Sequence, residues 1–194
     1  MKVRLGVRSP RLALLPFLVL PFALAFLVPA LASGDGPATG SATVPTIEMK
    51  LEGKKLSFAG PESIVEGEEL RVVNKTNPAQ VGPHTFSLVT KGSLPKTAKA
   101  RKTCFTPGKI CMGIAHWYGL KGEENPKNPI LEVGGEGWDT MGTVTKKGDS
   151  WFTSKKGGSI EEAVSAKAGT TLYFICAVHP WMQGSIKVLP KPAV

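Results

Sequence analysis

Residues 173–188 read Tyr173-Phe174-Ile175-Cys176-Ala177-Val178-His179-Pro180-Trp181-Met182-Gln183-Gly184-Ser185-Ile186-Lys187-Val188, and the fold is decided here. Thr171, Tyr173 and Ile175 alternate with Leu172, Phe174 and Cys176, the period of two that a strand requires. From Gly184 to Leu189 a closing strand follows. Between the two strands, on a short loop, lie a thiol, an imidazole and a thioether: Cys176, His179 and Met182.

Thiolate, thioether and imidazole are the donor types of a mononuclear electron-transfer copper site, which needs a second imidazole. Soft sulfur suits Cu(I), imidazole suits both oxidation states, and a rigid loop pinned by strands limits rearrangement when an electron arrives. Of the three histidines only His84 and His116 remain to supply the fourth donor. His84 follows Gly82-Pro83 and opens a strand with Phe86 and Leu88 on one face and Thr85, Ser87 and Val89 on the other. That placement on a distant strand would let a metal staple two sheets together. His116 sits in Gly113-Ile114-Ala115-His116-Trp117-Tyr118, opens no strand and follows no proline, yet stays a competitor.

Cys-x-x-His-x-x-Met followed by Gly-x-Ile-x-Val, with Pro83-His84 upstream, resembles the plastocyanin, pseudoazurin and amicyanin group of cupredoxins, the blue copper proteins. The loop spacing is closest to that of amicyanin. The resemblance implies an all-β fold, a Greek-key antiparallel β-sandwich, and one copper ion held by His84, Cys176, His179 and Met182 and cycling between Cu(I) and Cu(II). It also makes the edge of His179, beside Pro180 and Trp181, the electron's doorway. It covers residues 44–90 and 168–190. Residues 91–160 depart from the compact pattern and read as a long insertion.

The N-terminus is read for targeting. Lys2, Arg4, Arg8 and Arg11 precede an apolar run over 12–32 that closes on Ala30-Leu31-Ala32, the layout of a signal peptide cleaved after Ala32. The alternative is a retained anchor helix, which Pro16, Pro21 and Pro29 would interrupt. Residues 33–44 form a small, polar, flexible leader, and residues 45–194 the cupredoxin domain. Cleavage removes four positive charges and no acid, so the formal net charge falls from +9 to +5. The 22 glycines and 16 prolines suit strands joined by turns. Alternation at Ile47, Met49 and Leu51, a Gly53-Lys54-Lys55 turn, and Leu70, Val72 and Val73 place further strands, while residues 74–82 read as a loop. Over 160–168 the pattern fits a helical turn or a strand edge.

The three cysteines leave one unpaired in an exported protein; a metal gives Cys176 a role. Cys104 and Cys111 can close a disulfide loop in an oxidising compartment, or bind a second metal with His116. We expect an exported, periplasmic or cell-surface monomer. It touches a membrane only if the N-terminal segment is retained, and no motif points to nucleic acid. Its expected role is one-electron carriage, not enzymatic turnover, since three histidines cannot build additional copper centres. The alternatives are storage, delivery or sensing of copper, and a site remodelled by His116, Glu123 or Glu124. Lys91, Lys96, Lys99, Arg101, Lys102 and Lys109 occur without an intervening acid, a pattern suited to an acidic redox partner or to a plain solvated loop.

Overall fold

The computed structural model describes residues 43–120 and 130–193. The expected signal peptide, nearly all of the leader, and Glu123 and Glu124 lie outside the described residues. Among the described residues ten strands follow in chain order: β1 (Thr46–Glu52), β2 (Lys55–Ala59), β3 (Ser63–Val65), β4 (Glu69–Asn74), β5 (His84–Val89), β6 (Glu132–Val133), β7 (Ser150–Thr153), β8 (Ser159–Ala163), β9 (Thr171–Ile175) and β10 (Gln183–Leu189). They form a four-stranded sheet, β2-β1-β4-β8, and a six-stranded sheet, β3-β10-β9-β5-β7-β6. Among the described residues no helix is long and apolar enough to cross a membrane.

The sandwich follows from the alternation. Ile47, Met49, Leu70 and Val72 of the first sheet and Phe86, Leu88, Leu172, Phe174, Ile186 and Val188 of the second belong to one buried cluster. Phe86 is its centre, 4.8 Å from Phe174 at a tilt and edge-on to Trp138 at 5.1 Å and Phe58 at 5.8 Å. Such offset and edge contacts add to the gain from area burial. Gly184 of β10 pairs with Phe174, and a Cβ there would collide with the phenyl ring. The glycine that follows the ligand loop thus makes room for a core aromatic.

The all-β sandwich is the expected one, but its sheets are mixed where antiparallel sheets were expected throughout. β1 and β4 are parallel, as are β10 and β3; the other pairs are antiparallel. Parallel neighbours need a crossover connection. Here the chain makes it through the opposite sheet: between β1 and its neighbour β4 it visits β3, three residues long and invisible to a periodicity search. On β4 and β8, Arg71 faces Glu161 in register, with Nε donating to Oε2 at 2.7 Å. Ser159–Ala163 is therefore a strand at the edge of the first sheet.

The segment 91–160 is part structure, part cover. It supplies β7, paired with β5, and short β6 beside it. It also supplies two helices, α2 (Ala98–Lys102) and α3 (Ile110–Trp117), after a shorter one, α1 (Pro78–Val81), in the 74–82 loop. Ile110, Ile114, Trp117 and Tyr118 pack with Val89, Ile175 and Ala177 in a second buried cluster on the outer side of the six-stranded sheet. Hence every residue of β5 is buried, on both faces. Cys104 and Cys111 form a disulfide, with Cα atoms 5.1 Å apart, which ties the start of α3 to the preceding turn and leaves neither thiol for a second metal.

One carboxyl is expected to make stability depend on pH. Burial first, then a hydrogen bond and repulsion from Glu132, with Asp149 and Glu69 adding repulsion, push Glu162 up to about 7. The folded state thus holds this proton more tightly than the unfolded chain, whose carboxyl titrates near its ordinary 4.5. Stability from this group is full below that ordinary value and falls as pH rises through about 7. In thermal melts Glu162→Gln should match the parent at low pH and exceed its Tm above neutrality; parallel curves across the range would refute this.

Candidate metal centre

Cys176 follows the last residue of β9, and Met182 precedes the first of β10. The loop between them is closed by its own backbone. Cys176 N donates to Met182 O at 3.0 Å and Met182 N donates to His179 O at 2.8 Å. His84 is the first residue of β5, reached after Gly82, which caps α1 with φ 81°, a value that favours glycine. Strand β5 pairs with β9 within the six-stranded sheet, so the histidine arrives beside the cysteine from 92 residues upstream, and a metal there would join neighbouring strands of one sheet and not staple two sheets as expected.

His84, Cys176 and His179 each direct a ligand atom to one place, all within 4.8 Å of one another. Cys176 Sγ lies 3.7 Å from His84 Nδ1 and 3.6 Å from His179 Nδ1. The imidazole centroids are 4.7 Å apart. His84 and Cys176 are fully buried, His179 nearly so, and Met182 is buried in the same cluster as Cys176. His116 is exposed on α3 and takes no part in this grouping.

The hydrogen bonds decide which nitrogen of each ring is free. His179 Nε2 lies 2.8 Å from Val81 O. A carbonyl can only accept, so Nε2 carries the proton and Nδ1 keeps its lone pair. His84 Nε2 lies 2.9 Å from Thr76 Oγ1, whose own proton goes to Asn74 Oδ1 at 2.7 Å. Thr76 therefore accepts from Nε2–H, and Nδ1 of His84 is again the free donor. Outer partners of this kind fix the tautomer and aim of a metal-ligating histidine.

The sequence does not reveal Thr76, Asn74 or the Val81 carbonyl. The only local signal is Asn74-Lys75-Thr76, where Thr76 N also donates to Asn74 Oδ1 at 2.9 Å, a turn that asparagine favours. Its bearing on His84 depends on how the chain returns.

Electrostatics suits a cationic ligand that displaces protons. Burial, reinforced by His179, lowers His84 to about 4. Burial lowers His179 too, against the pull of the Val81 carbonyl. Both imidazoles are neutral at ordinary pH, as a metal ligand must be. Burial pushes the Cys176 thiol up, opposed by the backbone amides of Thr85, His179 and Val178. Thr85 N donates to the sulfur at 3.4 Å. Those amides await a thiolate that a metal would stabilise. Two Nδ1 lone pairs, one buried sulfur surrounded by donors and a buried thioether fit copper.

No protein-family model and no curated protein matches the chain. Among solved structures it is similar to auracyanin A, a "blue" copper protein from the green thermophilic photosynthetic bacterium Chloroflexus aurantiacus, at 20% identity and TM-score 0.39 over 74% of this chain and 95% of that one. A dithionite-reduced auracyanin from Roseiflexus castenholzii gives 17% and 0.38, covering 75% and 95%. A purple cupredoxin from Nitrosopumilus maritimus gives 15% and 0.33, covering 74% and 97%. The assignment of the site rests on its own donors and their hydrogen bonds.

Proposed function

We propose that this chain is an exported mononuclear copper protein that carries single electrons, with His84, Cys176, His179 and Met182 holding the ion. The observation that carries the reading is the pair of histidines whose Nδ1 atoms, freed by Thr76 and Val81, converge on the buried Cys176 sulfur. Copper bound there would supply Cu(II)/Cu(I) chemistry.

The residues around that place are held by the protein's own bonds and packing. The strands pin the loop at both ends, the outer hydrogen bonds fix both rings, and burial keeps water from the donors. A prearranged site needs little reorganisation on electron arrival. His179 is the ligand nearest the surface: Trp181 stands edge-on to its ring at 5.2 Å and is 51% exposed. The Cys104–Cys111 disulfide suits an oxidising compartment, in keeping with the N-terminal sequence.

The test separates carriage from storage or delivery. The copper-loaded protein should pass through repeated oxidation and reduction without losing metal and should resist a chelator in both states. Ready transfer of the ion to the chelator would replace the carrier with a delivery protein.

The partner we propose is an acidic redox protein. Gln183 Nε2 donates both to Pro180 O of the ligand loop, at 2.6 Å, and to Pro95 O, at 3.0 Å. Arg101 Nε donates to the same Pro95 carbonyl at 3.2 Å, and its NH2 group to Lys96 O at 3.3 Å. The exposed cations Lys96 and Arg101 thus stand beside the loop that carries Trp181, with Lys99 and Lys102 exposed on the same short helix as Arg101, and none of the four forms an ion pair with the described residues. Reversing Lys99 and Lys102 to glutamate should slow oxidation by anionic hexacyanoferrate(III) about tenfold at low salt, with the difference closing as ionic strength rises. A salt-independent rate in the parent would remove the basis for steering.

A further inference from the structure

The copper reading leaves unused a line of buried hydroxyls on the far side of β5. Thr85 and Ser87 are two residues apart on that strand and so share a face, away from Phe86 and Leu88. Ser150 of β7 pairs directly with Ser87. Tyr118 follows the last residue of α3 and reaches the same place from the helical segment. All four residues are buried.

Their hydrogen bonds run in one direction. Ser87 donates to Thr85 Oγ1 at 3.0 Å. With its proton so committed, Ser87 must accept from Ser150, 2.6 Å away. Ser150 in turn must accept from the phenol of Tyr118, at 2.5 Å. Thr85 Oγ1 also accepts from Ala177 N at 2.8 Å, and the Thr85 amide donates to the Cys176 sulfur at 3.4 Å.

We propose that Tyr118, Ser150, Ser87 and Thr85 form a hydrogen-bond chain that fixes Thr85, whose backbone amide donates to the Cys176 sulfur, and that through it the α3 segment sets the reduction potential of the metal centre. The physical ground is general. In a low-dielectric interior each hydroxyl that accepts a bond becomes a better donor, so the chain holds the Thr85 side chain firmly. A well-aimed amide donor at the sulfur stabilises the state with more negative charge there, which is the reduced one. Four hydroxyls in a dry interior would cost stability if left unbonded, and apolar side chains of similar size would fill the same volumes. Tyr118 is thus a positioning residue, acting through Thr85 and not on the metal.

The inference rests on the copper reading, and its test has one arm that needs no metal. In the copper-loaded protein Tyr118→Phe should lower the reduction potential and shift the sulfur-to-copper band, and Ser150→Ala, which cuts the chain in the middle, should move both in the same direction. Ile110→Val should leave both in place, although Ile110 belongs to the same buried cluster as Tyr118, because it alters packing on α3 and not the chain. In the metal-free protein Tyr118→Phe should move the amide proton resonances of Thr85 and Ala177, while Ile110→Val leaves them. Potential and resonances unchanged by Tyr118→Phe in a folded protein would overturn the proposal, as would equal shifts from Ile110→Val.

Discussion

Phe86→Ala is expected to destabilise the protein by about 3–5 kcal/mol and to lower its Tm by roughly 10 °C. Phe86 has no exposed surface and touches Phe58, Trp138 and Phe174. The first comes from the four-stranded sheet, the last from the six-stranded one, and Trp138 from the segment between β6 and β7. Removing the ring leaves a cavity where three aromatic edges met, and none of the three can follow without leaving another contact. The loss comprises the transfer energy of the ring and the cavity that remains. Chemical denaturation of parent and variant measures it. A cost under about 1 kcal/mol would mean that the core closes over the gap and that the ring does not join the sheets.

A second substitution separates the metal from the fold. Thr76→Val keeps volume and removes one hydroxyl. The Nε2–H of His84 then loses its acceptor in a buried place, and Asn74 Oδ1 loses one of its two donors. The other His84 tautomer becomes the cheaper one, with the proton on Nδ1 where the metal must bind. Losing an outer partner of this type typically lowers metal affinity about 10–100-fold, with about 1–3 kcal/mol of stability lost from the unpaired group. Competition with a chelator of known affinity reads the first effect and denaturation the second. Thr76→Ser, which retains the hydroxyl, should restore affinity. Full copper affinity in Thr76→Val would show that His84 is oriented by β5 alone.

The candidate site was legible in the sequence wherever its chemistry is local. Cys176, His179 and Met182 stand within seven residues between two alternating segments, and Pro83-His84 marks the mouth of a strand. What the sequence hid depends on chain return. Thr76 meets His84 only because the 74–82 loop folds around α1, and Val81 offers a backbone carbonyl that no side chain advertises. Ser87, Ser150 and Tyr118 look like surface residues until β7 pairs with β5 and α3 packs on that face of the sheet.

The fold was legible in the same uneven way. Strands β1, β4, β5, β9 and β10 are written in alternation. β3 has three residues and β6 has two, too few to show a period. The segment 91–160 reads as irregular because it mixes helix, strand and connection over short spans. Its apolar residues are divided between the inner core, which Trp138 and Trp151 join, and a second cluster on the outer face of the sheet, so they follow no single period.

If His84, Cys176, His179 and Met182 together hold one copper ion, the visible spectrum of the protein after addition of Cu(II) carries its signature. An intense blue thiolate-to-copper band is expected, lost in Cys176→Ser and retained in His116→Ala. A parent protein without such a band, or its disappearance in His116→Ala, would break up this set of four and move the metal toward the α3 segment.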